Sequence, residues 1–160
     1  MKSANMIVDI QRRMIGHAAL ILLIGMLAGA GLLVSLVGGL EWWPGKTMPL
    51  HLPISTDAWV RTHLGGMLNA FLIMLAALAM PVVGFDVPGG RRLGWMFVGT
   101  GWANTVFYWA AMFAPNRALS FADNRFGSSN LFTVIGLAPA LLFTLVSIVA
   151  VVLLAYRALR

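Results

Sequence analysis

Four apolar stretches divide this chain, running about 14–40, 62–84, 93–114 and 131–156. Each matches the roughly 20 residues that a helix needs to cross the hydrocarbon core of a bilayer. Irregular backbone cannot face lipid, so the connections should lie outside it. They read that way. The segment 41–61 carries Pro44, Gly45, Pro49 and Pro53, the segment 85–92 carries Pro88, Gly89 and Gly90, and the segment 115–130 carries Asn116, Asp123, Asn124 and Gly127. Of 160 residues, 60% are hydrophobic and 10% charged, against about 25% charged in a soluble domain. Such a chain cannot coat a globule with polar surface. The expected fold is an all-α integral membrane protein, a single four-helix transmembrane domain over 1–160.

The charges set orientation. Lys2, Arg12, Arg13, Arg91, Arg92, Arg157 and Arg160 fall at the two termini and the second loop, while Lys46, Arg61, Arg117 and Arg125 fall on the other side. The excess predicts both termini in the cytoplasm. This explains the net charge of +6 without a nucleic-acid partner, and none is expected. The first apolar run is too long for the core of a signal peptide. Trp42, Trp43 and Trp59 flank the external interface, where indole rings sit well. The chain has no cysteine, which excludes disulfides and thiolate ligands.

Within this apolar background a few polar residues stand out. His63 opens the second span, and Asn69 lies about 10 Å deep at 1.5 Å per residue. Tyr108, counted back from the outer end of the third span, lies about 9 Å deep by the same rise. Asn104 precedes Tyr108 by four residues and shares its helix face. Polar groups at such depth are costly and are usually kept for function. Each also has a plainer use: an asparagine can link two helices, Tyr108 can anchor at the interface, and His63 can bond a loop carbonyl. His17 belongs to the opposite end of the first span and reads as structural, and His51 reads as solvated in a Pro-rich loop. Gly25 and Gly29 form a G-x-x-x-G that serves close packing, either between chains or within one. No His-x-x-x-His pair exists and no Asp or Glu lies in a span, which argues against a zinc or di-metal carboxylate site. One imidazole can still hold an iron porphyrin, whose macrocycle supplies the other four nitrogens.

The run Gly101-Trp-Ala-Asn-Thr-Val-Phe-Tyr108 with Ala114-Pro-Asn-Arg117, and the run Arg61-Thr-His-Leu-Gly-Gly-Met-Leu-Asn69, resemble the styrene oxide isomerase family. Arg13-Met-Ile-Gly-His17, Val37-Gly-Gly39, Asp123-Asn-Arg-Phe-Gly127 and Leu137-Ala-Pro-Ala140 extend the likeness over almost the full length. The resemblance implies a four-helix membrane isomerase, assembled as a homotrimer with ferric haem b between neighbouring subunits. It implies His63 as the axial iron ligand and Asn69 and Tyr108 as the groups holding the epoxide oxygen; Arg117 and Arg125, by their place in the last external loop, are candidates to pair with the haem propionates or to stand as solvated interface charges. The reaction would be the Meinwald rearrangement of a small apolar aryl epoxide to an aldehyde, in a bacterial inner membrane. Thr100 stands where the family pattern has an acidic residue before Gly-Trp-Ala-Asn. The alternative from another class is a haem-bearing membrane anchor that exchanges electrons with quinone. Such proteins commonly hold haem between two histidines, and His17 and His63 are expected at opposite faces of the membrane.

Overall fold

The structure, a computed structural model, describes residues 2–160, with side chains from Met6 onward. Met1 of the expected domain lies outside the described residues, as does the side chain of Lys2. In chain order the elements are α1 (Lys2–Val37), a hairpin of β1 (Gly39–Trp43) and β2 (Lys46–Pro49), α2 (Thr56–Val83), α3 (Val87–Ala111) and α4 (Leu131–Ala158). Among the described residues α1, α2 and α4 are long and apolar enough to cross a membrane. The third helix has 25 residues but is less apolar, because glycines, threonines, three tryptophans, Asn104 and Tyr108 dilute it. The helix bearing Asn104 and Tyr108 is thus the least oily of the four.

The helices outrun the apolar stretches. The first begins at Lys2 rather than 14, the second at Thr56 rather than 62, the third at Val87 rather than 93, and the fourth ends at Ala158 rather than 156. Hydropathy marks the length that suits hydrocarbon, whereas a helix continues until something caps it. Ser55 caps α2 by accepting the Ala58 N–H at 3.3 Å, and Asp86 caps α3 by accepting from Gly89 at 3.2 Å. Asn130 and Thr133 form a reciprocal capping box on α4. In the other direction, α1 stops at Val37, short of 40, where Gly38 takes φ 73°. Gly39 then enters the hairpin, and a Cβ there would sit 2.5 Å from the Met48 carbonyl oxygen. The third helix stops at Ala111, short of 114, just ahead of Pro115.

The hairpin replaces the loop expected over 41–61. Trp42 and Trp43 stand on it more than half exposed, and His51 beyond it is exposed, as expected. Trp59 corrects the sequence reading. Its ring is buried in the bundle rather than exposed on its surface; a Cβ on Gly31 would lie 2.4–2.6 Å from its ring carbons, so only the bare backbone of glycine leaves it room, and Trp109 meets it edge-on at 6.1 Å.

In the packing, α1 lies on α2 and α3, and α3 lies on α2 and α4, while α2 and α4 barely meet. The tightest apolar core (Met14, Ile21, Ile73, Met80, Leu93 and Phe97) occupies the half of the bundle nearer the start of α1. The opposite half, where α2 begins and α3 ends, contains His63, Asn69, Asn104 and Tyr108.

Candidate active site

His63 lies against the backbone of α1. Its Nδ1 is 2.9 Å from the Gly25 carbonyl oxygen. A carbonyl only accepts, so Nδ1 donates and the neutral ring keeps its lone pair on Nε2. The approach depends on missing side chains. A Cβ at Gly29 would fall 2.7 Å from Nδ1, and a Cβ at Gly66 would fall 2.8 Å from the Gly25 Cα. The G-x-x-x-G of α1 therefore works within one chain: Gly25 meets Gly66 of α2, and Gly29 leaves the space that the imidazole fills. Trp59, one turn before His63 on α2, has its indole N–H buried without a partner.

Asn69, Asn104 and Tyr108 come together around Gly65. The Asn104 Nδ2 donates to the Asn69 Oδ1 at 2.9 Å. The Asn69 Nδ2 donates to the Gly65 carbonyl at 2.7 Å, which leaves its second N–H over. The Tyr108 ring lies on Gly65, where any Cβ would overlap it, and the Thr62 hydroxyl reaches the Tyr108 carbonyl at 3.3 Å. Asn69 is thus level with Asn104 rather than with Tyr108, whose ring lies about one turn away over Gly65, so the depth count is off by about a turn. The plainer use of asparagine is realised, since Asn69 and Asn104 join α2 to α3. Among the described residues the Tyr108 hydroxyl makes no hydrogen bond. Phe107 packs edge-on to the Tyr108 ring at 5.3 Å.

The structure does not bring His63 into this group. At roughly 100° per residue, Asn69 lies about 120° around α2 from His63. Gly66, Trp59 and His63 turn to α1, while Thr62, Gly65 and Asn69 turn to α3. Beside Tyr108, a cavity of about 50 Å³ is lined by Arg61, Thr62, Phe107 and Arg117 among others. That is room for one or two waters at about 30 Å³ each, too little for an aryl epoxide.

Arg117 is placed by an unusual loop. It takes φ 58° and Ala118 takes φ 52°, a left-handed backbone that non-glycine residues adopt only when their surroundings impose it. Asn116, fully buried, does so. It donates to the Ser120 and Ala122 carbonyls at 2.8 and 3.1 Å and accepts from the Ala118 N–H at 3.0 Å and the Thr133 hydroxyl at 2.7 Å. Arg117 thereby lies 3.4 Å from Asp57, which also pairs with Arg61 at 3.2 Å, and its guanidinium stacks on Phe126 at 4.2 Å. Sequence reasoning took Asn116 for a loop marker, because nothing local tells a solvated asparagine from a buried one. Replacing Asn116 with Ala should lower stability by about 2–4 kcal/mol through several unpaired groups. A fall in the unfolding midpoint of the detergent-purified protein checks this.

Two other residues resolve simply. His17 accepts at Nδ1 from the Trp102 indole N–H at 3.2 Å, near the middle of α1 rather than at its end, in keeping with a structural role. Thr100 is buried against α4, donating to Met96 at 2.8 Å and toward Phe143 at 3.4 Å. It touches neither Asn69 nor Tyr108.

Among the described residues no three His, Cys, Asp or Glu side chains gather to hold a bare metal ion. A family model described as styrene oxide isomerase matches residues 10–159. A curated relative, the styrene-oxide isomerase of Pseudomonas fluorescens, is 38% identical over 150 residues, covering 94% of this chain and 89% of that protein. With the His63 to Asn69 spacing on α2, the Asn104 to Tyr108 turn on α3 and a match over nearly the whole length, the chain belongs to the styrene oxide isomerase family and is an isomerase.

Proposed function

We propose that the chain rearranges styrene-oxide-like aryl epoxides to aldehydes, giving phenylacetaldehyde from styrene oxide, with ferric haem b bound through His63. The observation that carries this is the Nδ1–H bond from His63 to the Gly25 carbonyl. Metal-bound histidines commonly donate their second N–H to a carbonyl, which fixes the tautomer and aims the lone pair of the other nitrogen outward. The donor set suits a macrocycle: one imidazole, and beside it an orphaned buried indole N–H on Trp59. When bound, the iron would supply a Lewis acid for the epoxide oxygen.

The chain's own groups have the remaining tasks. The Tyr108 hydroxyl and the spare Asn69 N–H would hold the epoxide oxygen and stabilise the negative charge that grows on it as the ring opens. The benzylic carbon then carries positive charge that the aryl ring delocalises, a hydride moves to it from the neighbouring carbon, and the carbonyl forms. No atom is gained or lost and no electron donor is needed. Phe107 and the apolar helices would keep out water, which would otherwise trap the cation as a diol.

In this proposal α3 also crosses the membrane, both termini are cytoplasmic, and three chains assemble with haem between them in a bacterial inner membrane. Two features support an intersubunit site: His63 and the Asn69–Tyr108 pair turn to different sides of α2, and the small cavity beside Tyr108 has no room for the substrate. The electron-transfer alternative lacks such support, because the His17 Nδ1 is taken by Trp102, about two turns along α1 from the carbonyl that His63 meets.

Incubating detergent-purified protein with styrene oxide should yield phenylacetaldehyde without diol. Diol, or no product from protein carrying haem, would overturn the assignment. Asn104 fixes the orientation of the Asn69 amide, so Asn104→Leu should lower kcat on the order of 10- to 100-fold through misplacement alone. The haem band should be unchanged, and the two are read on the same sample.

A further inference from the structure

At the end of the bundle remote from His63, α1 and α3 part to form a crevice of about 460 Å³. Asp9, Arg13 and His17, spaced four residues apart, line it from α1; Arg91, Trp95 and Val98 line it from α3. The helices close again at Met14 and Gly94, where a Cβ on the glycine would lie 3.0 Å from the Met14 sulfur. Among the described residues every ion pair belongs to Asp57, so Arg13 and Arg91 enter the crevice without a carboxylate partner. The His17 ring contributes a donor: its Nδ1 accepts from Trp102, which leaves Nε2 to bear the proton. The remaining wall is oily, with Met6, Ile10 and Met14 opposite Trp95 and Val98.

We infer that this crevice binds an acidic phospholipid, its phosphodiester between Arg13 and Arg91 and an acyl chain along Trp95 and Val98. Two guanidiniums and an imidazole N–H are the groups that recognise phosphate oxygens. Asp9 offsets one of the two positive charges, so the crevice carries a net single charge, matching a singly charged headgroup. The oily wall excludes a small hydrophilic anion as the better ligand. Its surroundings are also basic: Arg12 and Arg92 flank it, and Arg157 is at the same end, reaching the Gly84 carbonyl at 3.0 Å. Basic clusters at the ends of spans attract anionic lipids.

The test is fluorescence quenching by lipids brominated on their acyl chains, with full-length protein in phosphatidylcholine nanodiscs. Subtracting the emission of Trp95→Phe isolates the signal of Trp95. Brominated phosphatidylglycerol should quench that signal at a mole fraction several-fold lower than brominated phosphatidylcholine. The Arg13→Gln/Arg91→Gln variant should lose the preference, and Arg12→Gln/Arg92→Gln, which removes an equal charge outside the crevice, should keep it. If the Arg13/Arg91 variant loses helical circular dichroism, Arg91→Gln alone should reduce the preference. Equal quenching by the two lipids, a preference that survives the Arg13/Arg91 changes, or no quenching of Trp95 by either lipid would overturn the inference. Inorganic phosphate that abolishes the preference, where chloride of the same ionic strength does not, would reassign the crevice to free phosphate and overturn it as well.

Discussion

His63→Ala protein is expected to purify folded, colourless and without isomerase turnover, and Gly29→Ala to follow it part of the way from a different helix. The first result would follow from losing the one nitrogen available to iron. The second is more diagnostic. A methyl at residue 29 would sit 2.7 Å from Nδ1, well inside van der Waals contact, so the ring must swing away and give up the Gly25 carbonyl. Loss of such an outer partner typically costs 10- to 100-fold in metal affinity or activity, and a similar drop in haem affinity is expected here. Titrating haem into apo-protein and following its absorption band measures it, with helical circular dichroism as the control for folding. Gly29→Ala protein that binds haem as tightly as the parent would break the link between the glycine and the ligand.

Two variants that are each nearly inactive should restore one another. Tyr108→Phe keeps His63 but loses a donor to the oxygen, a change worth on the order of 10²- to 10³-fold. His63→Ala keeps Tyr108 but not the iron ligand. If each site takes His63 from one chain and Tyr108 from its neighbour, random mixing in a ring leaves about a quarter of the sites intact. Co-expressed variants should then show about that fraction of the parent's turnover. If one chain supplied both residues, every site in the mixture would be defective and activity would stay at background. The measurement is turnover per subunit in the unselected mixture of co-expressed chains, with differently tagged subunits used to confirm that mixed rings form.

Much of this architecture is legible in the sequence, because hydropathy and helix rise act locally. The apolar stretches sit within the observed helices apart from a few residues at the ends of α1, α2 and α3, and depth counting puts Asn69 and Tyr108 in the same half of the bundle, where they lie about one helical turn apart. What depth cannot supply is azimuth. His63 and Asn69 are six residues apart and look like one cluster, yet their sides of α2 differ, and only the packing of α1 and α3 decides which side each faces. Trp59 misled for a related reason. Its place near the end of a span suits an interface, but Gly31 opens a slot on α1 that draws it inward. The Asn116 hub was hidden because its partners, Ser120, Ala122 and Thr133, come from a loop and a helix that only the fold brings together. The hairpin escaped notice because its strands are short and its segment is rich in proline.

The carbonyl that steadies the imidazole also belongs to a helical turn of α1, so ligand orientation is tied to how that helix sits against its neighbour. A slide or rotation of one rod by a fraction of an ångström would re-aim the ring without altering any side chain that meets substrate. With haem held as proposed, changes in membrane thickness, or exchanges of lipid-facing leucines on α1, would therefore act as remote tuning screws on its reactivity, and directed evolution could exploit them while leaving the pocket untouched.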